Sequence, residues 1–238
     1  MKQQVTVGHE PPRGRPREER TSLPPLTYLP LGERPLRRVT QLFAGLVLFG
    51  FSLAVMLRAS LGVSPWSVLY EGVAQRTSLS FGTVNAVVGA VVLLLWIPLG
   101  QRPRFGTVAN IVVLACSSDL GLSLIPAHLD LLTRAGLLAG GVLLNGLAGA
   151  VYIGARLGPG PRDGLMTGAV AATGRSIRLV RTLIEITVLA TGWLLGGTVG
   201  VGTVLYAATV GPVTQAFLPR FAYRGAAPGR RGGGRRRT

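Results

Sequence analysis

Between residues 40 and 218 the chain alternates long apolar runs with short polar breaks, and its charges crowd into the breaks rather than along helix faces. Six runs reach the length of about 17 to 25 residues that a membrane-crossing helix needs: 40–57, 81–99, 107–125, 136–155, 179–195 and 203–218, the last with a glycine-rich approach. Two shorter segments, 65–76 and 161–172, open with Ser64 or Gly160 at the cap position and a proline next, where its missing N–H costs nothing. About twelve residues reach only about 18 Å, too short to span. They read as re-entrant or interfacial half-helices. If they crossed instead, the arginine-rich loop after residue 155 would be split across the bilayer.

The chain also contains itself twice. Under a shift of 96 residues, the distance from Leu61 to Leu157, residues 42–108 fall without a gap on 138–204. Roughly a third of the aligned positions are identical, glycines and prolines included, which shared apolar composition does not produce. Leu61-Gly62, Pro65, Leu69 and Gly72 meet Leu157-Gly158, Pro161, Leu165 and Gly168; Gly106-Thr107-Val108 meet Gly202-Thr203-Val204. Three full spans per half is an odd number, so the second half enters from the opposite side, the inverted plan of many secondary transporters. The expected fold is all-α: a polytopic membrane protein with six transmembrane helices in two inverted three-helix repeats, each with a short half-helix. The expected divisions are a disordered basic tail 1–36, a first repeat 37–126, a second repeat 134–221 and a Gly/Arg-rich tail 222–238.

Composition agrees: 48% of residues are hydrophobic and 14% charged, unlike a soluble domain of this length. The one cysteine, Cys116, lies inside an apolar run and excludes an internal disulfide. His9 and His128 stand apart from any metal-binding cluster, and no apolar stretch before Leu42 reads as a cleaved signal. A formal charge of +16 would suggest nucleic acid in a soluble protein. Here it reads as basic tails held on the cytoplasmic side against anionic lipid, with no nucleic-acid partner. Arg34, Arg37 and Arg38 put the N-terminus inside; six crossings return the C-terminus inside, and the loop with Arg102 and Arg104 and that with Arg156, Arg162, Arg175, Arg178 and Arg181 both fall inside.

The densest polar motif is Gly158-Pro159-Gly160-Pro161-Arg162-Asp163-Gly164-Leu165-Met166. Exposed N–H groups at a helix start bind anions and a nearby arginine strengthens that, while Asp163 serves equally as a dipole partner or a proton or cation site. A capped turn with an internal Arg–Asp pair is the plain structural alternative. Pro65, Trp66, Gly160, Pro161, Arg162, Asp163 and Gly164 are therefore the expected substrate-path residues; the first half has Trp66-Ser67 where the second has Arg162-Asp163. Asp119 and Glu185 lie within apolar runs, where an ionised carboxylate costs on the order of 2.5 to 3.5 kcal/mol and asks for a reason. Glu185 follows Arg181 by four residues on one helical face, which allows a simple ion pair. Asp119 has no basic residue within a turn. Asp119, Glu185 and Arg181 are the ion-coupling candidates, and Asn85, Asn145 and Glu71 weaker ones. No Walker A, His-Glu-x-x-His or Gly-x-Ser-x-Gly pattern is present, so ATP-driven transport by this chain alone and typical hydrolysis are disfavoured, and no cofactor is called for.

The strings Leu61-Gly62-Val63-Ser64-Pro65-Trp66, Gly158 to Met166, and Arg181 to Glu185 on to Gly202-Thr203 resemble the bacterial YczE family of membrane proteins, related to the YitT-like group. The resemblance covers about residues 36–221 and implies a bacterial cytoplasmic membrane location more than any activity. The expected function is a non-enzymatic secondary transporter or exporter of an unidentified small solute. The alternative is a membrane accessory or scaffold protein that regulates a membrane-bound partner. The expected partners are the lipid bilayer, anionic lipid at the basic tails and the small solute, and a homo-oligomer is left open.

Overall fold

The computed structural model describes residues 28, 29, 32 and 34–223. Among them lie eight α-helices and no strand: α1 Pro35–Ala59, α2 Pro65–Arg76, α3 Phe81–Trp96, α4 Phe105–Leu124, α5 Leu131–Gly154, α6 Pro161–Thr173, α7 Ile177–Leu194 and α8 Val201–Phe221. The two short helices start where their prolines place them, α2 with Ser64 Oγ accepting from the Ser67 N–H at 3.2 Å. The expectations for tails 1–36 and 222–238 fall largely outside the described residues.

By length and composition α1, α4, α5 and α8 can each cross a membrane, and α2 with α3, bent by 115° at their junction, qualify as a fifth, broken unit. This is fewer than the six simple spans expected from the sequence. Run 81–99 is helical only to Trp96, because Pro98 closes the helix into a turn, leaving 16 residues or about 24 Å. Helix α7 carries Arg178, Arg181 and Glu185 within its 18 residues.

Helices α1 and α5 form the centre and run antiparallel. Lipid tails are as apolar as leucine, so membrane helices associate through close packing at small residues and through interhelical hydrogen bonds. Both are used here, and the glycine packing is reciprocal under the 96-residue shift. Gly45 lies against the Tyr152 backbone, and Gly141, its counterpart, against Met56, the counterpart of Tyr152. Ser52 Oγ accepts from Asn145 Nδ2 at 2.8 Å between them. The same exchange governs the loops. Gly106 N–H donates to Leu157 O at 3.0 Å, and Gly202 N–H donates to Leu61 O at 2.8 Å. Gly62 and Gly158, beside those carbonyls, have φ of +105° and +133°, which L side chains rarely adopt. Thr107 and Thr203 accept from the backbone N–H of Arg104 and Gly200, closing the first turns of α4 and α8 alike.

Arginines hold the remaining ends. The last carbonyls of a helix have no internal partner and carry the negative end of its dipole. Arg38, fully buried, donates to Ala155 O (3.0 Å) and Arg156 O (3.1 Å) beyond α5; Arg76 Nε donates to Leu195 O (3.0 Å) after α7; Arg58 donates to Leu122 O near the end of α4. Helix α2 packs on α7 and α3 on α6, so the halves interlock.

Candidate functional site

The first turns of the two half-helices meet at a cavity of about 310 Å³. Ser64, Pro65 and Trp66 line it from α2, and Gly160, Pro161, Arg162, Asp163 and Met166 from α6. Helix α5 contributes Asn145, Gly149 and Tyr152, α1 Phe49, and α4 Asn110 and Leu114. The last two walls are α7, with Arg181, Ile184 and Glu185, and α8, with Tyr206, Val210, Gly211, Thr214 and Gln215.

Local packing fixes the start of α6 from the first half of the chain. Trp96 Nε1 donates to Pro161 O at 3.0 Å, and the α-carbon of Gly164 lies on the Trp96 ring, where a Cβ would come within 1.9 Å. Thr107 Oγ1 donates to Pro159 O at 2.8 Å. Arg162 Nε donates to Tyr70 Oη at 3.1 Å, and its guanidinium lies 5.2 Å and 5.1 Å from the Trp66 and Tyr70 ring centres, within cation–π range. Trp66 occupies the position in the first half that Arg162 occupies in the second, so repeat counterparts touch at the centre of the site. Tyr152 Oη donates to Asp163 Oδ2 at 3.4 Å, and Tyr206 Oη donates to Asn145 Oδ1 at 3.1 Å.

Of the residues expected from the sequence, Pro65, Trp66, Gly160, Pro161, Arg162, Asp163, Arg181 and Glu185 come together on this cavity. Gly164 sits behind it against Trp96. Arg181 and Glu185 form an ion pair of 2.9 Å at the α7 wall. Asp119 lies elsewhere: its carboxylate accepts from the Gly82 N–H (2.7 Å) and the Ser80 hydroxyl, capping α3 from the last turns of α4. Glu71 is likewise structural in its contacts, accepting from the Thr198 N–H (2.7 Å) and hydroxyl (2.8 Å). Tyr152 and Tyr206 went unnoticed in the sequence, since an aromatic residue inside an apolar run reads as core, and Tyr70 because nothing local to 65–76 shows that Arg162 will reach it.

The two halves differ in how their last helices pack. Helix α3 packs on α4 through Gly82, against Ala115 O, and Gly89, against Ile111, whereas α7 makes no comparable contact with α8 and the cavity lies between them. At the positions of Gly82 and Gly89, α7 carries Arg178 and Glu185, so the glycine surface that lets α3 approach α4 is missing from α7.

Residues 36–219 match the family of unknown function DUF6198. The chain belongs to that family. It is 37% identical over 182 residues to an uncharacterized protein of Haemophilus influenzae, a match that covers 76% of this chain and 84% of the relative. It is 31% identical over 185 residues to the uncharacterized membrane protein YczE of Bacillus subtilis, covering 77% and 86%. The expected membership of the YczE family therefore holds. The Bacillus subtilis protein YyaS is similar at 22% identity over 179 residues, 74% of this chain and 89% of the relative. No solved structure matches. With a relative described as a membrane protein and several helices of spanning length, this is a polytopic membrane protein in contact with lipid.

Proposed function

We propose that this protein is a secondary transporter of a small solute, built as two inverted repeats in a bacterial cytoplasmic membrane, with both termini in the cytoplasm. The observation that carries the reading is the cavity at which the two half-helix starts meet, the position of substrate sites in inverted-repeat transporters. The antiparallel α1 and α5 support the inversion, because helices related by a parallel repeat would run the same way. On the positive-inside assignment, the arginine-rich start of α7 and the end of α8 face the cytoplasm. The cavity between α7 and α8 then opens inward. The outer side is closed by α3 on α4, with Asp119 as the latch on Ser80 and Gly82. Protonation of Asp119 weakens that latch, which is how it would couple opening to protons. In the alternate state α7 approaches α8 through Glu185, Arg181 and Gln215, and α3 parts from α4.

The test needs no knowledge of the solute. Met166 lines the cavity, so Met166→Cys in a Cys116→Ser background is labelled by a membrane-impermeant thiol reagent applied to inverted vesicles. With Asp119→Ala added, the same cysteine becomes reactive in intact cells. Reactivity from one side only, in both backgrounds, removes alternating access and leaves the accessory-protein reading.

A further inference from the structure

We infer that the cavity takes a small zwitterion of the α-amino acid type, its carboxylate on Arg162 and its ammonium on Asp163; this rests on the transport reading above and names its substrate class. Arg162 uses one nitrogen internally, Nε on Tyr70. Its terminal Nη1 and Nη2 donate to no acceptor among the described residues and are not buried orphans, so they keep open surface on the cavity that Arg162 lines. The Trp66 and Tyr70 rings hold the guanidinium, leaving a planar pair of donors of the shape that receives a carboxylate in two parallel hydrogen bonds. Both half-helix starts turn their positive dipole ends toward the same place.

Those features alone would suit a simple anion. Asp163 changes that. It is the next residue, lines the same cavity, makes no ion-pair contact with Arg162, and has the Tyr152 hydroxyl at 3.4 Å and the Gly160 backbone N–H as its donors. A cation and an anion held one residue apart without pairing to each other match a solute that carries both charges on neighbouring atoms. The remaining lining charges, Arg181 and Glu185, already pair with each other, so the site is formally neutral and disfavours a net anion. Phe49, Leu114 and Val210 give an apolar wall for a side chain, and the volume suits one amino acid.

The test is thermal unfolding of the purified full chain in lipid nanodiscs with each neutral L-amino acid at 5 mM, followed for every stabilising compound by its decarboxylated amine and its deaminated acid. The expected result is a melting-temperature rise of about 3 °C or more for at least one amino acid and none for its amine or acid. In Asp163→Asn the acid then stabilises as well as the amino acid; in Arg162→Gln neither does. A purely structural role for Asp163 would lower the melting temperature without changing that preference. Equal stabilisation of the parent protein by the acid, or none by any amino acid, overturns the zwitterion assignment. Either result beside two-sided Met166→Cys labelling removes the solute class alone, whereas one-sided labelling removes the transport reading.

Discussion

Arg38 and Arg134, repeat counterparts near the starts of α1 and α5, each cap the other's helix. Arg38 donates to Ala155 O and Arg156 O beyond α5, and Arg134 donates to Ala59 O and Ser60 O, both at 2.7 Å, beyond α1. The acceptors are counterparts too, since Ala155 and Arg156 stand 96 residues after Ala59 and Ser60. The two contacts lie at opposite ends of the central pair, so together they set its antiparallel register.

Burial makes the two caps unequal. Arg38 is fully buried and also donates to Leu29 O at 2.7 Å, while Arg134 is partly exposed. Removing a buried donor leaves its acceptors unsatisfied at about 1–3 kcal/mol, whereas acceptors near the surface regain water. Arg38→Ala is expected to cost about 2–3 kcal/mol and Arg134→Ala about 1 kcal/mol in chemical unfolding of the detergent-solubilised protein. Equal losses would show that Arg38 is no more than a surface cap.

Many of the glycines that the repeat preserves sit where neighbouring segments come too close for a Cβ, which is why the internal symmetry was readable from the chain. Gly62, Gly106, Gly158 and Gly202 lie at the exchanged loop contacts, and Gly45 and Gly141 at the α1–α5 crossing. The half-helices were equally plain, because serine or glycine followed by proline acts locally. Arg38 was legible only as a charge near a helix start, since burial depends on which chain ends close over it. The opening between α7 and α8 left a trace, glycines in α3 replaced by Arg178 and Glu185 in α7, whose meaning depends on α3 packing against α4. Asp119 looked like an unpaired acid because its partners, Ser80 and the Gly82 N–H, sit about 40 residues back on another helix.

The Trp96–Gly164 contact predicts a sharp contrast between two glycines. A Cβ at Gly164 would overlap the Trp96 ring, itself buried and tied to Pro161 O, so Gly164→Ala must displace the start of α6. Overpacking of this kind costs roughly 1–3 kcal/mol. Gly136 in α5 has nothing within 4 Å of its would-be Cβ, and Gly136→Ala is expected to be neutral or stabilising by up to about 1 kcal/mol. Melting temperatures of the two variants in one detergent decide the matter, and a Gly164→Ala protein as stable as the parent would contradict the packing.

Asn145 joins three helices, with Nδ2 donating to Ser52 Oγ on α1 and Oδ1 accepting from Tyr206 Oη on α8. Interhelical hydrogen bonds in membrane proteins average about 0.6 kcal/mol, with a maximum near 1.7. Tyr206→Phe removes one bond and should cost about 0.6 kcal/mol. Asn145→Ala removes both and leaves Ser52 and Tyr206 unpaired, so it should cost more, and a double-mutant cycle should return a coupling of about 0.5 kcal/mol or more. Strict additivity of the two losses would show that the bond is absent in the membrane.

Asp130, outside the spanning segments, caps α5. Its carboxylate accepts from the Thr133 hydroxyl at 2.6 Å and the Thr133 N–H at 3.0 Å, and those bonds hold its pKa below the usual 3.8. The stabilisation from a depressed carboxyl is fully present above the unfolded pKa and disappears as pH falls through the folded value. Asp130→Asn keeps a capping oxygen without the charge. The parent should therefore melt above this variant at pH 6, and the gap should begin to shrink as pH falls through the unfolded value near 3.8 and go on shrinking until pH is below the folded one. A gap of constant size from pH 6 down through pH 3 would assign the difference to packing instead of charge.

The Ser80–Asp119 contact and its counterpart should differ in chemical cross-linking. Ser80 and Asp119 touch through their side chains, so Ser80→Cys/Asp119→Cys in a Cys116→Ser background should form a disulfide readily under mild oxidation. Ser176 and Gln215 are the same positions in the second half, on α7 and α8, which the cavity separates. Ser176→Cys/Gln215→Cys should cross-link at least tenfold more slowly, because a disulfide needs α-carbons within about 7 Å. Locking the first pair should leave Met166→Cys reactive from inverted vesicles and abolish any reactivity from intact cells. Fast cross-linking of the second pair instead would mean that α7 rests against α8 in the membrane, the reverse of the arrangement in which the cavity separates them.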